Sequence, residues 1–179
     1  MSHSFTPLYD KSVLQRRIAE LAAEITDAYA GLEITAVVVM NGGLFFAADL
    51  LRRIDLPVYV DSIAAGSYLH HASTGELTMR SVLKLNIKGS HILLIDDILD
   101  TGFTLAELRR RFLEAGAASC RTCVLIDKDI PAEKKCMKAD WYGFRAPDEF
   151  LVGLGMDSDE HYRNLPDICI FREESGDEA

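Results

Sequence analysis

Between His91 and Leu105 the chain reads HILLIDDILDTGFTL, an apolar run that meets three aspartates and then a Thr-Gly turn. Ile92, Leu93, Leu94 and Ile95 have the unbroken apolar character of a central parallel strand. Asp96, Asp97 and Asp100 follow at its carboxyl end, the side on which open α/β sheets hold their ligands. Thr101, Gly102, Phe103 and Thr104 then lead into the helix-periodic segment Leu105 to Leu113. Such a turn gathers N–H groups and hydroxyls at a helix N-terminus, where a phosphate binds readily. Carboxylates repel the phosphate that the turn attracts, so both serve one ligand only if it has two chemically different ends. A ribose 5-phosphate has them: phosphate for the 101–104 turn and hydroxyls for Asp96 and Asp97. The plain alternative is a strand end, a helix-capping Asp100 and a turn glycine.

Those side chains need a sheet and helices to place them, and the rest of the chain alternates accordingly. Leu14, Ile18, Leu21, Ile25 and Ala28 recur at helical spacing, and Gly31 supplies a stop. ITAVVVM at 34–40 is β-rich, 43–53 is helical, and PVYVDSI at 57–63 returns to strand. Residues 64–80, with Gly66, Ser67, Ser73, Thr74 and Gly75, read as a long flexible connection. HILLI, a helix over 104–115 ending at Gly116, and TCVLID complete a βαβ series, which implies an α/β fold with a parallel sheet. The acidic tail REESGDEA is expected to fray.

Two further segments sit at strand ends. Met40-Asn41-Gly42-Gly43 follows a strand and precedes a helix, and its paired glycines let backbone amides approach phosphate oxygens closely. Asn-Gly alone would be an ordinary turn; its place after the first core strand favours the phosphate reading. Lys128 follows VLID at another strand end, on the same rim as Asp100. Cys120 and Cys123 form a C-x-x-C, but in a strand residues three apart point to opposite faces, which argues against a metal or redox pair. His70 and His71 lack acidic companions at metal-ligand spacing and read as part of a polar loop.

With 179 residues and 49% hydrophobic content, the chain is long enough for one well-buried core and short for two, so one domain is expected. A net charge of −9 argues against a nucleic-acid or anionic-membrane surface. No apolar run approaches the roughly 18–20 residues that span a bilayer, and MSHSFTPLYD lacks the pattern of a signal peptide. Four scattered cysteines do not make a disulfide framework, and a cytoplasmic location is expected.

IDDILDTGFTL resembles the phosphoribosyl pyrophosphate signature of type I phosphoribosyltransferases. MNGGLFFAADLLRRI at 40–54, GSYLHHASTGEL at 66–77, VLIDK at 124–128 and the run from DWYGFRAPDEFLVGLGMDSDEHYRNLPDICIF are similar in order and spacing to the hypoxanthine-guanine branch. The resemblance covers roughly 10–171 and implies a parallel sheet flanked by helices, with a small hood built from terminal segments. It further implies transfer of a 5-phosphoribosyl group to a 6-oxopurine, with Mg²⁺ as cofactor and a homodimer or homotetramer as the assembly. Asp100 would be the general acid/base and Asp157 would hold Mg²⁺, with Asp96 and Asp97 as further ligands. Arg163 would contact pyrophosphate, Lys128 would donate to the purine O6, Phe150 would stack on the base, and Leu151 would offer backbone groups to its edge. Ser67 and Tyr68 would belong to a mobile lid. The chain departs from the family at Asn41, where lysine is common and the adjoining peptide can be cis. The choice among hypoxanthine, guanine and xanthine stays open, and the alternatives are a pyrimidine transferase or a regulator that uses this fold.

Overall fold

The computed structural model describes residues 2–66, 78–79 and 83–174. In chain order its elements are β1 (Ser2–Tyr9), α1 (Lys11–Ala28), β2 (Ile34–Met40), α2 (Gly43–Leu51), β3 (Val58–Gly66), β4 (Thr78–Met79), β5 (His91–Leu99), α3 (Phe103–Glu114), β6 (Ser119–Lys128), a short 3₁₀ turn (Ala132–Lys134), β7 (Trp141–Ala146), β8 (Leu151–Val152) and β9 (Ile168–Glu174). Asp10 starts α1 by accepting hydrogen bonds from the N–H groups of Ser12 and Val13 at 2.8 and 3.0 Å, which satisfies donors the helix cannot. Leu14, Ile18, Leu21 and Ile25 then bury one helical stripe.

The main sheet runs β4-β3-β2-β5-β6-β7, with β3, β2, β5, β6 and β7 parallel and β4 antiparallel at the edge. Strand alternation divides its side chains between two apolar layers. Ala36, Val38, Leu93, Ile95, Cys123 and Leu125 pack with α1 and α2. Val37, Val39, Ile92, Leu94, Cys120 and Val124 pack with α3 through Leu105, Leu108 and Phe112. Cys120 and Cys123 thus lie on opposite faces, both buried and free, and burial pushes their thiols well above the ordinary range.

A second sheet, β1-β9-β8, joins the two ends of the chain and forms the expected hood. Phe5 meets Phe171 of β9 and Tyr162 from the preceding turn in T-shaped contacts, and Tyr162 lies tilted against Phe171. Lys11 N donates to Asp167 Oδ1 at 2.7 Å, tying the hood to the start of α1.

Several boundaries differ from those read in the sequence. The strand does not end at Ile95: β5 continues through Asp96 and Asp97 to Leu99, because β6 keeps pairing with it as far as Leu99 opposite Asp127. The connection assigned to 64–80 gives its first residues to β3, which runs to Gly66, and Thr78–Met79 pairs back on it. The second helix stops at Leu51 rather than residue 53, and α3 occupies Phe103–Glu114 rather than 104–115. β1 has no counterpart in the sequence reading, since SHSFTPLY pairs with a strand more than 150 residues away.

Candidate active site

β2 has β3 on one side and β5 on the other, so the direction of winding reverses between β2 and β5. At such a switch point the loops leaving the carboxyl ends of adjacent strands turn to opposite faces and open a crevice. Their last paired residues are Val38 and Ile95. Beyond them Asn41 and Gly42 leave β2 while Asp96 and Asp97 continue β5.

The fit there is close. A Cβ on Gly42 would lie 2.3 Å from Asp97 Oδ2, and one on Gly155 would lie 2.0 Å from the Gly42 carbonyl oxygen. Gly155 also has φ +109°, which L side chains rarely adopt. These two glycines let the 153–163 segment rest on the switch-point loop and carry Arg163 to the acidic pair. Arg163 donates to the Gly155 carbonyl at 2.6 Å and pairs with Asp157 at 2.8 Å. Asp157 also accepts from Glu160 N at 2.9 Å. Asp159, Glu160 and Tyr162 hold positive φ in this turn.

Asp97 is buried, and its N–H donates to Asp96 Oδ1 at 3.0 Å. Burial pushes both carboxyls above the usual carboxylate range. The Asp97 charge adds to the rise at Asp96, while hydrogen bonds and the Arg163 charge oppose it at Asp97. Asn41 is exposed, the Met40–Asn41 peptide is cis, and Leu44 N donates to the Asn41 carbonyl at 3.2 Å.

The 100–104 turn follows Leu99. Gly102 has φ +79° and precedes α3 with no side-chain cap of its own, while Phe103 N donates to Thr101 Oγ1 at 3.4 Å; a helix N-terminus of this kind suits an anion. Thr101 and Phe103 are exposed, and Thr104 is half-buried. The back of the turn is closed: Cys136 N donates to the Thr101 carbonyl at 2.7 Å, and a Cβ on Gly102 would meet Met137 Cγ at 2.9 Å.

Lys128, at the end of β6, is 13% exposed and lies 4.0 Å from Asp100 and 3.6 Å from Asp148. Phe150, two residues beyond Asp148, is 53% exposed, so it is not an ordinary core residue. Leu151 begins β8, an edge strand whose far side has no sheet partner among the described residues. Ser67 and Tyr68 lie outside the described residues. Asp148 and Gly155 escaped the sequence reading: Asp148 looked like any loop acid, although the two glycines flanking Leu154 in VGLGMD were a visible sign of close backbone approach. A cavity of about 330 Å³ lies at the other end of the strands, beside Glu33, Tyr59, Lys88 and His91. Recognition of phosphate by backbone amides needs a turn rather than a deep cavity, and the chemistry-bearing groups are at the carboxyl edge.

A doubly wound sheet with an acidic pair and an uncapped turn at its switch point defines the class as an α/β protein suited to a sugar phosphate. The family model described as the phosphoribosyl transferase domain matches residues 6–159. A hypoxanthine-guanine-xanthine phosphoribosyltransferase of Tritrichomonas foetus is 39% identical over 166 residues, spanning 93% of this chain and 91% of that protein. A hypoxanthine-guanine phosphoribosyltransferase of Bacillus subtilis is 38% identical over 167 residues, with 92% of each chain covered. A crystal structure of the Bacillus anthracis hypoxanthine-guanine phosphoribosyltransferase superposes with a TM-score of 0.87 at 35% identity, covering 96% of this chain and 100% of that one. The chain belongs to the type I phosphoribosyltransferases, in the hypoxanthine-guanine branch.

Proposed function

We propose that the chain transfers the 5-phosphoribosyl group of phosphoribosyl pyrophosphate to hypoxanthine or guanine, forming IMP or GMP and pyrophosphate in purine salvage. The observation that carries the base assignment is Lys128, which links Asp100 on the acidic turn to the Asp148–Phe150 segment. In this reading the 5-phosphate lies on Thr101, Gly102, Phe103 and Thr104, and Asp96 and Asp97 take the ribose hydroxyls. Asn41 and Gly42 offer backbone groups to the pyrophosphate, and Arg163 adds its guanidinium fork. Phe150 stacks on the purine, Lys128 donates to O6, and Leu151 presents its free backbone edge.

The N9–C1 bond forms as the bond from C1 to pyrophosphate breaks, and Asp100 takes the proton from N7. The acidic pair favours positive charge developing on the ribose. Ser67 and Tyr68 exclude water from the sugar centre.

Mg²⁺ fits the donor set. Among the described residues no three His, Cys, Asp or Glu side chains form a metal cage, and Mg²⁺ commonly takes one or two carboxylates together with substrate phosphates. Asp157, alone or with one carboxylate of the Asp96–Asp97 pair, would hold it together with the substrate phosphates, and the bound ion would neutralise charge on the leaving pyrophosphate.

A cytoplasmic location accords with four free cysteines. A homodimer or homotetramer accords with the exposed apolar side chains Leu44 and Phe45 on α2 and Tyr59 and Val60 on β3.

The test is a panel of bases supplied with phosphoribosyl pyrophosphate and Mg²⁺, read by nucleotide formation. Hypoxanthine or guanine gives product, while adenine and uracil give little. Turnover of uracil alone, or no nucleotide from any purine, overturns the reading.

A further inference from the structure

Segment 129–137 leaves β6 just after Lys128 and returns across the back of the 100–104 turn. Two contacts join it to that turn: the Cys136 N–H on the Thr101 carbonyl at 2.7 Å, and Met137 against Gly102. At its start, Asp129 N donates to the Ala146 carbonyl at 2.7 Å. Immediately before Cys136, Lys135 reaches back to the Asp127 carboxylate in an ion pair whose side chains are only 17% and 10% exposed. Asp127 is opposite Leu99 in the β5–β6 register, directly before the turn. One buried contact therefore closes a ring that runs from β6 through the strap to Thr101 and back along β5.

Surface ion pairs are worth little, but this one is largely removed from water, and breaking it leaves a buried charge without its partner. A carbonyl pinned from behind keeps the Thr101 and Gly102 peptides in one orientation, and the N–H groups that follow inherit that orientation.

We propose that Lys135 is a positioning residue for the phosphate turn: through Asp127 it fixes the strap, and the strap presets the 101–104 amides for the 5-phosphate of the sugar substrate. This rests on the phosphoribosyl reading of the turn. Lys135 touches no substrate in this arrangement, so its loss acts on sugar-phosphate affinity rather than on the chemical step.

The experiment compares wild type, Lys135→Met and Lys135→Arg in steady-state kinetics. Titration calorimetry of ribose 5-phosphate runs alongside, as a binding readout independent of turnover. Lys135→Met is expected to raise KM for phosphoribosyl pyrophosphate on the order of tenfold, with kcat and KM for the purine within about threefold of wild type. Ribose 5-phosphate affinity should fall in parallel, and Lys135→Arg should restore both. A lower kcat with unchanged KM marks loss of folded protein and overturns the proposal, as does unchanged ribose 5-phosphate binding. If Lys135→Met does not fold, Asp127→Leu/Lys135→Met, which leaves no buried charge, takes its place; wild-type KM in that variant overturns the proposal. If the wild type forms no nucleotide, the proposed reaction fails separately. The calorimetry then decides the role of Lys135 alone, with absent or unchanged sugar-phosphate binding counting against it.

Discussion

Asp100 differs from Asp96 and Asp97 in its surroundings. Its side chain is 57% exposed beside the Lys128 ammonium, whereas Asp97 is buried within the strand. The strand-held pair, Asp97 buried and Asp96 half-buried, suits holding and shaping, and the exposed aspartate suits a proton that must arrive and leave. Asp100→Asn keeps the size and removes the basic oxygen, so kcat should fall by roughly 10²–10⁴-fold with a smaller change in KM. Single-turnover kinetics make the check, because slow product release can hide a chemical defect. Near-normal single-turnover rates would remove Asp100 from the acid/base role. Asn41 carries no charge, so in the proposed reaction the cation offered to pyrophosphate is Arg163.

At the scale of elements, two loops from distant parts of the chain meet with no room for a side chain. Gly155→Ala places a Cβ 2.0 Å from the Gly42 carbonyl at a φ of +109°. The variant should lose on the order of 1–3 kcal/mol of stability and also lose kcat/KM, because Arg163 is held by the Gly155 carbonyl. Gly31→Ala is the control. It has a φ of +79° but nothing within 4 Å, so it should lose stability and keep kcat/KM. Thermal denaturation together with kinetics separates the two, and an active Gly155→Ala enzyme would show that the loop contact does not position Arg163. The Gly-x-Gly of VGLGMD was legible as a backbone constraint, but nothing local said which backbone it approaches.

For the molecule as a whole, the acidic pair sets a cost against stability. Burial and the Asp97 charge raise the Asp96 carboxyl above its unfolded value of 3.8. Below that value it is protonated in both states and costs nothing. As pH rises toward and through the raised folded value, the unfolded chain ionises first and stability falls. Asp96→Asn keeps the oxygen that accepts from Asp97 N but has no charge to bury. Its melting temperature should exceed that of wild type by a margin that is small near pH 4 and widens as pH rises, while sugar-phosphate affinity drops. Melting curves across the pH range check this, and a margin that narrows with rising pH would contradict it. A stability cost retained at a ligand site is what function imposes on a fold.

Local sequence specified the helices of the main domain, four of the five parallel strands and the residues at their carboxyl ends; β7 (Trp141–Ala146) escaped it. Apolar periodicity, caps and turn glycines are local, and an unbroken apolar strand must be covered on both faces. It also determined that Cys120 and Cys123 part to opposite faces, since alternation is a property of the strand itself. Tertiary structure decided what depends on partners distant in the chain. β5 runs through Asp97 because β6 continues beside it, and β1 forms because β9 pairs with it. Phe150 faces outward, Asp148 reaches Lys128, and Gly155 lies on Gly42. Apart from the glycines of VGLGMD, which mark a close approach without naming its partner, these features leave no local pattern, because each is fixed by which surfaces meet after the chain has closed on itself.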